Sequence, residues 1–238
     1  MIEKTSAIVI KTYPYKETSS IVSLYSERFG LKTYIIKGGR KKNASIPSNI
    51  FQPLQILDLI VYDKPKIVLN QIKEYALTYN LQNIYCNIIK TTLAIFITEI
   101  ISLSLKEENP NDEAYIFLKD TITTLNNIDD KYLKDFHLFF MINFASLLGF
   151  QPMNNFDEEN KFFDITKGRF SNNISTNSLS FDLSSTLHKF LIQSPNITPI
   201  TQSSIERNNL LNALILFYQE HITNNKPIKS QQILSSIL

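Results

Sequence analysis

Lys37, Arg40, Lys41 and Lys42 fall within six positions and bracket the pair Gly38-Gly39. Four fixed cations in so short a run create a positive potential that attracts phosphate. The glycines let the backbone take positive φ and come close to a partner. Lys11, Lys16, Arg28 and Lys32 extend the pattern through the first fifty residues, where the only acids are Glu3, Glu17 and Glu27. Tyr13, Tyr15, Tyr25, Phe29 and Tyr34 are interleaved with them. Cations neutralise phosphates and exposed aromatic faces stack bases, so the combination points to nucleic acid. At least half of those rings are expected to serve as strand core instead. The loop cluster 37–42 ranks first as a DNA-binding site, ahead of Lys11, Lys16, Arg28 and Lys32.

Other chemistry finds little support in the residues. There is no G-x-x-x-x-G-K phosphate loop and no G-x-S-x-G elbow. His137, His188 and His221 fall on separate predicted helices, away from carboxylates at ligand spacing. The adjacent pairs Asp129-Asp130 and Glu158-Glu159 read as a helix start and a solvated loop. The lone cysteine, Cys86, excludes an internal disulfide and a thiolate zinc site, and reads as a small core hydrophobe. The expectation is a binding protein that is not an enzyme and carries no cofactor or metal.

Charge is unevenly distributed along the chain. Residues 1–80 hold twelve Lys and Arg against six Asp and Glu, whereas 81–238 hold twelve against sixteen. A basic front and an acidic back suit an anionic partner for the front. The opening MIEKTSAIVIKTY lacks a leader signature, and the apolar stretches near 93–105 and 138–148 are too interrupted to span a membrane. A cytoplasmic protein without membrane contact is expected.

The elements that must position the cations are short strands. Residues 4–13, 19–26, 31–36, 54–62 and 67–75 are rich in β-branched and aromatic residues and are separated by turn signals. Pro14 is expected to end the first, and Asp63-Lys64-Pro65-Lys66 to turn between the last two. Five strands in under 80 residues predict a small closed barrel, OB-type or SH3-like. Beyond Tyr75 the period becomes helical, over 84–105, 113–126 and 131–148, the last capped by Asp129 or Asp130 and stopped by Gly149. Residues 161–171 suggest a hairpin turning at Lys167-Gly168, and 182–193 a short helix. Ser203 with Glu206 forms a capping box for a helix over about 204–223, and a final helix covers 229–237. The fold class is α+β: a barrel over 1–80, then a helical domain over 81–238 with an irregular insert at about 151–200.

The segment KTSAIVIKTYPYKETSSIVSLYSERFGLKTYIIKGGRKKNAS resembles the start of the RecO family of bacterial recombination mediators. FQPLQILDL (51–59), FASLLGFQP (144–152) and RNNLLNALILFYQEHITNNKPIKSQQIL (207–234) resemble later segments of that family in the same order. The resemblance implies an N-terminal OB-fold and a helical domain. It implies binding of single- and double-stranded DNA, annealing of complementary strands, and work with RecR to load RecA onto strands coated with single-stranded DNA-binding protein. It also implies binding of that protein's acidic tail, for which Arg207, Lys226 and Lys229 are candidates by position. Many relatives carry a four-cysteine zinc module after the G-[FY]-x-P segment. Residues 153–206 contain no cysteine, so no zinc is expected, with Phe156, Phe162, Phe163 and Phe170 packing in its place. The rival reading is an adaptor whose barrel binds protein.

Overall fold

The computed structural model describes residues 2–62, 69–105, 110–193 and 199–238. The expected turn at 63–66 lies outside them. The chain forms two compact units, Met1–Asn127 and Ile128–Leu238.

In the first unit β1 (Ile2–Tyr15), β2 (Ser19–Ser26), β3 (Gly30–Ile36), β4 (Ile56–Tyr62) and β5 (Asn70–Leu77) close a barrel in the order β1-β2-β3-β5-β4. β1 pairs antiparallel with both β2 and β4, and β3 meets β5 in parallel. That five-stranded closure is the OB-type arrangement. Ala7, Val9, Val22, Leu24, Tyr34, Ile36, Leu57, Leu59 and Val61 fill its interior. β1 runs through Pro14, beyond the expected stop. Pro14 pairs with Ser20 on one side, while β4 has left the other side after the Ile8–Ile56 pair, so no ladder there needs its missing N–H.

The register of β1 against β2 slips between Val9 and Lys11. This bulge reverses the alternation. Ala7 and Val9 point into the barrel, whereas Lys11 and Tyr13 are exposed.

Among the described residues this unit also holds the helices α1 (Gln82–Tyr85), α2 (Ile88–Ser104) and α3 (Asp112–Asn127). The single helix expected over 84–105 is two, because Asn87 caps a fresh start by accepting from the Ile89 and Lys90 N–H groups. Ile88 on α2 and Ile116 on α3 face solvent, 70% and 57% exposed. Cys86, read as core, is also exposed, at the end of α1.

In the second unit α4 (Phe136–Leu147) is buried on nearly every side. It starts five residues later than expected, and Asp129 and Asp130 belong to a separate 3-10 turn. Tyr218 on α6 (Ser204–His221) donates to the Met141 carbonyl at 2.6 Å. Ser203 caps α6 at the Glu206 N–H, but Glu206 returns its carboxylate to the Gln202 N–H and the Thr186 hydroxyl. α5 (Phe181–Ile192) and α7 (Gln231–Ile237) match the expected short helices within two residues. The 161–171 hairpin is present as β6 (Phe162–Asp164) and β7 (Arg169–Ser171), with Gly168 at positive φ.

Aromatic rings pack around that hairpin. Phe163 lies 5.1 Å from Phe170, Phe156 5.3 Å from Phe170, and Phe156 stacks on His188 at 4.7 Å between ring centres. Asn155 both donates to the Phe170 carbonyl and accepts from its N–H. Phe162 makes no ring pair among the described residues; Phe217 takes that place, 6.1 Å from Phe163. Among the described residues no group of three or more His, Cys, Asp and Glu side chains could hold a metal ion, and no helix is long and apolar enough to cross a membrane.

Candidate nucleic-acid interface

The basic loop leaves β3 at Lys37 and is pinned by backbone bonds. Gly38 sits at φ +68°, and the Lys41 N–H donates to its carbonyl at 3.0 Å. Gly39 is needed for space: a Cβ there would lie 2.4 Å from Ser48 Oγ and 2.6 Å from Ile36 Cγ2. Its carbonyl accepts from the Ser48 N–H at 2.8 Å, which folds the 40–47 segment back on itself. Glycines thus set the loop path, and the path sets the lysines.

Lys37, Lys41 and Lys42 are exposed and form no ion pair among the described residues. Arg40 differs. Its N–H donates to the Thr18 carbonyl at 3.0 Å. Its guanidinium Nη2 donates to the Lys16 carbonyl at 2.8 Å and to the Glu17 carbonyl. Lys16 stands at φ +51°, a left-handed conformation that costs a non-glycine residue about 1 kcal/mol. Arg40 therefore clamps the β1–β2 turn to the basic loop. We expect Arg40→Ala to lose about 1.5–3 kcal/mol of loop ordering. Arg40→Lys should lose less, because both carbonyls accept from the single nitrogen Nη2, and an ammonium also carries several donors on one nitrogen. Faster amide exchange at residues 38–41, more so in the alanine variant, would report it.

A cleft of about 490 Å³ opens beside this loop. Thr12, Tyr13 and Pro14 line one wall; Arg40, Lys41 and Lys42 belong to the loop, with Ser48 and Asn49 beyond. Thr12 is fixed by donating to the Phe51 carbonyl at 2.9 Å. The Lys11 ammonium lies 6.0 Å from the Tyr13 ring centre, and the Lys16 ammonium 5.5 Å from that of Tyr15. Among the interleaved aromatics, Tyr25 and Tyr34 are core. Tyr13 alone of the five lines the cleft. Ser48 and Asn49 were not legible as site residues, since polar loop residues carry no periodic signal.

The eight candidate cations do not form one patch. β3 runs six steps from Gly30 to Ile36, roughly 20 Å at 3.3 Å per residue, before Lys37. Lys16, Lys37, Arg40, Lys41 and Lys42 gather at one end, while Lys11 sits midway, level with Ser23 and Thr33. Arg28 lies at the other, where it pairs with Glu3 at 2.7 Å. Lys32, nearer that end, sits 4.9 Å from the Phe29 ring centre, with the Arg28 guanidinium 5.7 Å from the same ring. In the second unit, Lys226 and Lys229 are exposed between α6 and α7. Arg207, proposed with them, is 4% exposed. It faces Asp135 at 4.0 Å and donates to Thr201 Oγ1 and the Leu238 carbonyl. The reason is helical spacing: Arg207 shares a face with Leu210, Leu211 and Leu214, all buried.

These features define a class: a five-stranded OB-type barrel with a cation-rich, aromatic-walled cleft, followed by a helical body. The chain belongs to the recombination protein O family: the N-terminal family model matches residues 1–81 and the C-terminal model 86–232. It is 33% identical over 238 residues to the DNA repair protein RecO of Flavobacterium psychrophilum, covering 98% of each chain. It is 32% identical over 235 residues to that of Flavobacterium johnsoniae, again covering 98% of each. The corresponding protein of Phocaeicola vulgatus is 26% identical over 240 residues, covering 100% of this chain and 99% of the other.

Proposed function

We propose that this protein is a DNA-binding recombination mediator in DNA repair. Residues 1–80 bind single- and double-stranded DNA through Lys37, Lys41 and Lys42, with Lys16 beside them, Lys11 further along the barrel and Arg40 holding the loop. Arg28 and Lys32 form a second, weaker contact at the far end of the barrel. The observation that carries this reading is three exposed lysines, without carboxylate partners among the described residues, on a loop anchored to a barrel. Phosphate can neutralise them without first displacing an acid. Holding two strands on such a surface lowers the repulsion that opposes annealing.

Family membership supports a wider role in recombination. Relatives are named DNA repair proteins, and the proposal extends to cooperation with RecR in loading RecA onto strands coated with single-stranded DNA-binding protein. Lys226 and Lys229 are the remaining candidates for that protein's acidic tail. The test is annealing of complementary strands precoated with single-stranded DNA-binding protein. The chain should accelerate it in a salt-sensitive manner; no acceleration, with binding to protein partners intact, would favour the adaptor. Metal is not part of the proposal. Dialysis against a chelator should leave annealing and melting temperature unchanged, because the aromatic cluster at 156–217 supplies the packing there.

A further inference from the structure

We propose that the cleft between the end of β1 and the 37–49 loop takes one unstacked base against the Tyr13 ring, with flanking phosphates on Lys41 and Lys42. This rests on the DNA-binding reading and adds to it a preference for single strands over duplex. Tyr13 is 40% exposed, although it lies in a barrel strand. The bulge at Ile10 turns it outward, and Lys11, two residues earlier on the same face, sets a cation beside the ring. The cleft volume of about 490 Å³ lies in the range of small-ligand pockets and admits a group of base size. On its other side Ser48 packs against Gly39, its Oγ shielded from solvent and without a hydrogen-bond partner among the described residues. The neighbouring Asn49 is exposed, with an amide that can both donate and accept. A base edge can bond the Asn49 amide. Duplex bases are already stacked on each other and cannot offer a face without flipping out.

The test uses the full chain with a labelled thymidine oligonucleotide and a duplex, at one salt concentration and then across a series. Tyr13→Ala should weaken single-strand binding roughly 5- to 100-fold. Duplex binding should stay within about twofold and both salt slopes should stay unchanged, since no phosphate contact is lost. Tyr13→Phe should match the parent, and Tyr13→Leu should match Tyr13→Ala, because the ring face does the binding. The chain contains no tryptophan, so Tyr13→Trp supplies a single reporter, whose fluorescence should be quenched by the single strand and not by the duplex. Equal losses on both nucleic acids, or none on either, would overturn the stacking role while leaving DNA binding in place. If the parent chain binds neither in a salt-dependent way, the DNA-binding reading fails, and this proposal falls with it.

Discussion

Replacing Lys37, Lys41 and Lys42 together by Glu should weaken single-strand binding on the order of 100-fold or more at moderate salt and flatten its salt dependence. Each phosphate contact contributes about 0.7 to the slope of log K against log salt for single strands, and about 0.9 for duplex. Three lost contacts therefore remove about two slope units. Replacing the same residues by Gln should give the same slope with a smaller loss of affinity, because the repulsion of the glutamates is absent. Lys161→Glu, a reversal at an exposed site of the second unit, controls for net charge and should change little beyond long-range attraction. Arg40 is left out because its guanidinium bonds two carbonyls, so its loss would mix geometry with charge. An unchanged slope in the triple variant would move the DNA contact away from this loop.

The contrast between Arg40 and its neighbours marks how far the sequence can be read. A run of glycines and cations between two strands shows a basic loop. It does not show that one of the four cations folds back on a turn twenty-three residues earlier, because that contact depends on how β2 and β3 pair. The barrel itself was legible. Alternating β-branched residues identify strands with one face inward, and five of them between turn signals leave little but closure. Strand order was not available from periodicity, and the OB-type arrangement followed from the family resemblance. The bulge at Ile10 was also hidden, yet it alone explains why Lys11 and Tyr13 face outward. Arg207 is the opposite case. Its spacing from Leu210, Leu211 and Leu214 places it on a buried face, and that signal was present in the sequence. Its candidacy for the acidic tail came from its position in the family-like segment alone, which carries no information about exposure.

That burial leads to the largest stability effect expected in the second unit. Asp135 is fully buried. Its carboxylate accepts from the Ile200 N–H at 2.7 Å, the Thr201 N–H at 2.9 Å and the Thr201 hydroxyl at 2.5 Å. It also faces the Arg207 guanidinium at 4.0 Å. Asp135→Ala strands a buried cation and two backbone donors at once, and removing one partner from such a pair costs about 3–5 kcal/mol. Calorimetry should show the loss in the transition of the second unit, with single-strand binding by the barrel retained. His137 gives the same region a pH signature. Burial, and secondarily the Arg207 charge, lowers its pKa from 6.5 to about 3. Between those values the unfolded chain binds a proton at this residue that the folded chain refuses. Stability should therefore fall as pH drops from about 6.5 toward 3, with a slope of up to roughly 1.4 kcal/mol per unit from this group. His137→Phe, which cannot take up the proton in either state, should remove that component of the slope; an undiminished acid transition would place its origin in other groups.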